Sequence, residues 1–150
     1  MLLEKVTSSL KEAMINKDDF KTSVLRMVIA AVRNREIEKK GKGQNITEDD
    51  VIDVLRKEVK KRKDASAMYQ SGGRMESADE EEKEVQFIES FLPAQMSEDE
   101  IKKIVSGVLG EFENPTQKDF GVIIKKTMEK IGGKADGSSV SAVIKSLLGK

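Results

Sequence analysis

Three observations predict an all-α fold. Apolar residues recur at three- and four-residue spacing along nearly the whole chain, and no stretch alternates with period two. Aromatic residues make up only 4% and charged residues 36%, with Lys, Glu, Ile, Val, Leu and Met prominent, as in helix-rich chains. With 150 residues the chain suffices for one compact domain or two small ones. The pattern predicts two helical units. A four-helix N-terminal unit covers residues 1–92, a three-helix C-terminal tail domain covers residues 97–150, and residues 93–96 link them.

Each element has its own signal. Leu3, Val6, Leu10 and Met14 form the stripe of a first helix, which "NKDD" ends; Asp18 or Asp19 can then cap the second. The second helix, about Phe20 to Lys40, is apolar almost all round, through Phe20, Val24, Leu25, Met27, Val28, Ile29, Ala31 and Val32. It is therefore expected to be central and buried. "GKGQN" stops it. Thr47 to Asp50 resembles a capping box opening a third helix with the stripe Val51, Ile52, Leu55 and Val59. "SGG" at Ser71 to Gly73 separates it from a fourth helix. The acidic start of that helix suits the positive end of a helix dipole, and Val85, Ile88 and Phe91 are its buried side.

Pro93 disfavours helical geometry at Leu92, so the fourth helix should end there. Ser97 to Glu100 is a capping box for a fifth helix with Ile101, Ile104, Val105, Val108 and Phe112 inward. "ENPT" precedes a sixth helix carrying Phe120, Ile123, Ile124, Met128 and Ile131, and Gly132 and Gly133 provide a left-handed stop. Val140, Val143, Ile144 and Leu147 mark the seventh.

Composition excludes much chemistry. There is no Cys, so disulfides and thiolate metal sites are absent, and no His to act as general base or metal ligand. No phosphate-binding GxxxxGK loop and no GxGxxG occur. No catalytic residue, cofactor or metal is therefore expected. Glu80, Glu81 and Glu82 are consecutive on a helix and point apart, as a solvated face does. Ser138 and Ser141 with Lys134 read as caps and surface residues. No apolar run spans a bilayer and the N-terminus does not read as a signal peptide, so a cytoplasmic setting without membrane attachment is expected.

Charges balance overall at 27 basic and 27 acidic residues, but their distribution does not. From Pro115 onward seven lysines face three acids. Lys118 and Lys125 share a spoke opposite the sixth helix's apolar stripe, Lys126 lies beside it, and Lys134 follows in the turn. By composition alone these form a solvated lysine face. Arg26 and Arg33 share a spoke of the second helix, and an internal ion pair with a neighbouring helix is expected for them. In "KKRK" at Lys60 to Lys63, Arg62 points inward and should pair with Glu58.

Three stretches carry a resemblance. "SVLRMVIAAVRNREIEK", "FLPAQMSEDE" and "GGKADGSSVSAVIK", in this order and spacing, resemble the GatB/YqeY family over nearly the whole chain, as a stand-alone YqeY-like protein. The resemblance implies kinship with the C-terminal helical and tail region of the B subunit of glutamine-dependent aspartyl/glutamyl-tRNA amidotransferase. It also implies the family label of carbon–nitrogen ligase activity with glutamine as amido donor. The catalytic portion of that enzyme has no counterpart in these residues. The tail's role in the family implies a tRNA contact through Lys118, Lys125, Lys126, Lys134, Ser138 and Ser139. Gly133 would permit the turn and Asp136 would cap the last helix. The leading expectation is a tRNA-binding or tRNA-amidation accessory protein without its own catalytic site. A helical protein-interaction adaptor is the alternative, with its protein partner unspecified.

Overall fold

The computed structural model describes residues 1–132 and 134–149, so Gly133, expected to share the left-handed stop, lies outside the described residues. Among the described residues there are seven α-helices, one short 3-10 turn and no strand. They fall into two compact units, Met1–Leu92 and Pro93–Lys150.

The first unit holds α1 (Leu2–Ile15), α2 (Asp19–Gly41), α3 (Glu48–Ser71) and α4 (Met75–Glu89). Local chemistry sets the boundaries. Lys17 takes a left-handed conformation after α1, and Asp18 caps α2 by accepting a hydrogen bond from the Lys21 N–H at 3.1 Å. Thr47 and Asp50 make the expected reciprocal box: the Asp50 N–H donates to Thr47 Oγ1 and the Thr47 N–H to Asp50 Oδ2. Glu48, just inside α3, accepts from the Leu2 N–H at 2.9 Å and so holds the start of α1. Gly73, at φ 75°, lets the chain turn from α3 into α4. α4 starts at Met75, four residues before the acidic run that opens at Asp79, and ends at Glu89, ahead of Leu92.

Val6, Val24, Leu25, Val28, Val32, Leu55, Val85 and Ile88 make the centre of the core, each almost wholly excluded from solvent. α2 is not buried all round. Phe20 is 42% exposed and Met27 52%, because α1, α3 and α4 cover only one side of it. Arg26 and Arg33 also face solvent, with no carboxylate within 4.0 Å among the described residues, so the expected internal ion pair is absent. The arginine of α2 that pairs is Arg35, which meets Asp53 of α3 and lies 3.9 Å from Asp50.

α3 and α4 form the most extensive helix pair. Small residues at their contact, Ser66 and Ala78, are fully buried and let the two backbones approach. Arg62 is 4% exposed and bridges the pair. Its Nη1 donates to Glu58 Oε2 at 2.7 Å, as expected, and its Nε to Glu84 Oε2 at 2.8 Å. Burial opposes the guanidinium's charge, but the hydrogen bonds to Glu58 and Glu84 outweigh it and raise its pKa. Burial, with Glu84 close by, pushes the Glu81 carboxyl up.

The second unit holds α5 (Glu98–Leu109), the 3-10 turn (Gln117–Asp119), α6 (Phe120–Ile131) and α7 (Gly137–Leu148). Ser97 and Glu100 form the predicted capping box. Ile101, Val105, Val108, Ile123, Ile131, Val140, Val143 and Ile144 are buried together. Ile104, Phe112, Phe120, Ile124 and Met128 are only half-buried around them, and Phe112 lies beyond the end of α5. Thr127 is fully buried although polar, because its hydroxyl donates to the Ile123 carbonyl at 2.7 Å.

Two outcomes test this packing. Val28→Asp places an unpaired carboxylate in the first unit's core and should cost roughly 3–5 kcal/mol, read as a lowered midpoint in urea melts. Burial works against the Asp50 charge, but the Thr47 N–H, the Lys39 ammonium at 3.1 Å and the Thr47 hydroxyl outweigh it and hold this carboxyl below its ordinary range. Its stabilisation is therefore complete above about pH 4 and is lost as pH falls through the lower folded value. Asp50→Asn should cost about 1 kcal/mol at pH 7, and the difference from the parent should shrink in melts taken at progressively lower pH within that acid range.

Candidate nucleic-acid interface

The lysine-rich surface of the second unit is assembled by three local devices. Thr116 opens the 3-10 turn, accepting from the Lys118 N–H at 3.3 Å, while Asp119 Oδ2 accepts from the Thr116 N–H at 3.0 Å. This holds the backbone at Lys118 while its side chain is exposed. Lys118 belongs to this turn and not to α6, so it shares no helical spoke with Lys125: a 3-10 turn winds three residues per turn. Lys125 and Lys126 are exposed on α6, with Glu129 on the same outer side.

The third device is the α6–α7 turn. Gly132 has φ 57°, and its N–H donates to the Met128 carbonyl at 2.9 Å. The Lys134 carbonyl accepts from the Met96 N–H at 2.9 Å and Ala135 is buried, so the turn is tied down on both sides of the Lys134 side chain, which is exposed. Asp136 caps α7 by accepting from the Ser139 N–H at 2.8 Å. Ser138 and Ser139 are exposed at the start of α7. The cap uses one of the free amide groups and adds a negative charge, which leaves the serine hydroxyls as the better donors to an anion there.

Pairing sorts the lysines. Lys126 Nζ lies 3.6 Å from Glu111 Oε2 and 5.1 Å from the centre of the Phe112 ring, and Lys130 Nζ lies 3.1 Å from Glu111 Oε1. The hydrogen bond from Lys130 holds the Glu111 carboxyl below its ordinary range, so it stays charged. Lys126 is thus partly neutralised. Lys118, Lys125 and Lys134 have no carboxylate within 4.0 Å among the described residues. The fold also supplies a cation that sequence reading passed over. Lys145 of α7 lies 5.7 Å from the centre of the Phe120 ring, which starts α6 directly after the 3-10 turn. Only the packing of α7 on α6 reveals it.

Exposed ammonium groups of this kind attract phosphates. Base stacking is not on offer, since Phe112 and Phe120 pack against the core. Among the described residues no three Asp or Glu side chains are grouped to hold a metal ion, and no helix is long and apolar enough to cross a membrane.

Residues 3–148 match the family described as Yqey-like protein. The chain belongs to that family. It is similar to yeast proteins named altered inheritance of mitochondria protein 41, mitochondrial. The protein of Clavispora lusitaniae is 30% identical, with 98% of this chain and 85% of that one aligned. The Lachancea thermotolerans protein is 31% identical over 84% of this chain, which spans 66% of that relative's length. The Kluyveromyces lactis protein is 30% identical, with 91% and 78% aligned. Their name places these relatives in mitochondria, whereas the sequence led to the expectation of a cytoplasmic protein.

The turn that carries Lys134 depends on the left-handed Gly132. Gly132→Ala should destabilise the second unit by about 1 kcal/mol, measured by thermal melts, because a Cβ is disfavoured at that φ.

Proposed function

We propose that this Yqey-like protein is a tRNA-binding or tRNA-amidation accessory protein. In this reading it is related to glutamine-dependent aminoacyl-tRNA amidotransferase and has no catalytic site of its own. The observation that carries the reading is the set of exposed lysines with no carboxylate within 4.0 Å among the described residues, Lys118, Lys125 and Lys134, in the stretch from Pro115 onward where seven lysines face three acids. The resemblance of "FLPAQMSEDE" and "GGKADGSSVSAVIK" to the amidotransferase tail supports it. The ligase label of the family would then describe an assembly that the chain serves. The sequence led to the expectation of a cytoplasmic setting, and an accessory of tRNA amidation also fits the compartment named for the yeast relatives.

In this reading the lysines meet phosphates and Ser138 and Ser139 add hydrogen bonds, while Lys126, held by Glu111, contributes less. The contact is with the backbone and not with bases, so binding should be strongly salt-dependent and weakly sequence-dependent. Changing Lys118, Lys125 and Lys134 together to Glu should weaken tRNA binding at least about tenfold at low salt, or about 1.4 kcal/mol, in a filter or anisotropy titration. It should also flatten the salt dependence, since each phosphate contact releases about one counterion. Reversing Lys60 and Lys63 is the control and should change little; Lys63 is already within 3.1 Å of Glu89. Unchanged binding by the triple variant, or no binding by the parent, would give first place to a protein-interaction adaptor.

We also infer that residues 1–92 and 97–150 are independently folding domains joined by residues 93–96. Each unit has its own buried apolar cluster, which supports this. Fragments ending at Leu92 and beginning at Pro93 should each be helical by circular dichroism and melt cooperatively. A fragment that is unfolded at 10 °C would refute the division.

A further inference from the structure

The exposed side of α2 carries a second stripe, opposite the core. Phe20, Ser23, Met27, Ala30, Asn34 and Ile37 succeed one another at alternating steps of three and four residues, and every one is exposed. Such spacing keeps a seam on one side of a helix and is what a facing helix requires. Its large members are substantially bare: Phe20 and Met27 as above, and Ile37 at 68%. Ser23 and Ala30 between them leave room for another backbone. From first to last the seam runs about 25 Å at 1.5 Å per residue.

Two further features give the seam a direction. Arg26 and Arg33 line one flank, seven residues apart, exposed and with no carboxylate within 4.0 Å among the described residues. At its N-terminal end the seam opens into a depression of about 590 Å³ between α2 and α4, where Phe20 and Phe87 face each other at 6.0 Å between ring centres.

We infer that this side of α2 is the docking surface for an acidic amphipathic helix of a partner protein. That helix would place a large apolar residue in the depression beside Phe20 and Phe87, and carboxylates seven residues apart against Arg26 and Arg33. Charge complementarity selects this occupant. In a second copy paired antiparallel, Arg26 would oppose the copy's Arg33. In a parallel pair the arginines would meet Ala31 and Glu38, and Glu38 is already held by Lys42 at 3.2 Å. A nucleic acid would satisfy the arginines but leave Phe20, Met27 and Ile37 in water.

The test uses the full chain and two labelled synthetic helical peptides. Both carry a leucine seam, one with Glu and the other with Lys at two flanking positions seven residues apart, and binding is read by fluorescence anisotropy. The Glu peptide should bind the parent and the Lys peptide should not. Arg26→Glu with Arg33→Glu should weaken the Glu peptide at least tenfold and allow the Lys peptide to bind. Ile37→Glu should weaken the Glu peptide at least tenfold without changing the melting curve, since Ile37 is 68% exposed. The Lys118, Lys125 and Lys134 variant should bind the Glu peptide as the parent does, which separates this surface from the proposed tRNA contact. The inference is overturned if both peptides bind the parent alike or neither binds. It is also overturned if sedimentation shows a dimer that Ile37→Glu dissolves, or if reversing the two arginines lowers tRNA binding and leaves the Glu peptide unaffected.

Discussion

A buried guanidinium needs acceptors for its donors and a countercharge for its cation, and meeting that need at Arg62 organises the first unit. Arg62 sits almost entirely out of solvent between α3 and α4, with Glu58 on its own helix and Glu84 on the other. Removing one partner would strand a charge in a poorly solvated place, which is why the pair of helices is held in one register. The same side chain reaches α2, where its Nη2 lies 3.8 Å from Met27 Sδ. With α4 placed by this bridge, Phe87 comes to lie between Phe20 and Phe91, and the depression beside α2 takes its shape.

Among its described residues the second unit has no such buried charge, and it relies on its caps. Three capped starts, at Ser97, Thr116 and Asp136, satisfy amide groups that would otherwise be left without partners. The left-handed Gly132 and the Met96–Lys134 hydrogen bond then close the unit around its apolar cluster. Because Ile123, Ile131, Val140 and Ile144 take the inward positions, the lysines of α6 and its flanking turns are left on the outside.

Net charge says little about either surface. What matters is which cations the chain's own acids have already taken. Glu111 holds Lys126 and Lys130, Asp50 holds Lys39, and Asp53 holds Arg35 and Lys57. Arg26, Arg33, Lys118, Lys125 and Lys134 lie outside those pairings, in two separate sets. One set borders the bare Phe20, Met27 and Ile37, the surface inferred to take a protein helix; the other has the exposed Val122 beside it and is the set proposed to meet phosphates.

The sequence by itself determined the helices, their caps and most of their inward residues. These are local matters: the period of apolar residues places Val51, Ile52, Leu55 and Val59 on one side of α3, and a Ser or Thr followed three residues later by an acid makes a box wherever a helix starts. Arg62 with Glu58 was legible for the same reason, being one turn apart on one helix. Only the tertiary structure decided how much of each apolar face finds cover. Phe20 and Met27 have the pattern of core residues, yet their neighbours cover them only in part: Phe87 lies against Phe20 and Arg62 against Met27, and the outer side of each stays in water. Tertiary structure also decided every pairing between helices: Arg62 with Glu84, Lys126 with Glu111, Lys145 with Phe120, and the failure of Arg26 and Arg33 to find an acid. Such contacts depend on where one helix packs against another, and no spacing along the chain records that.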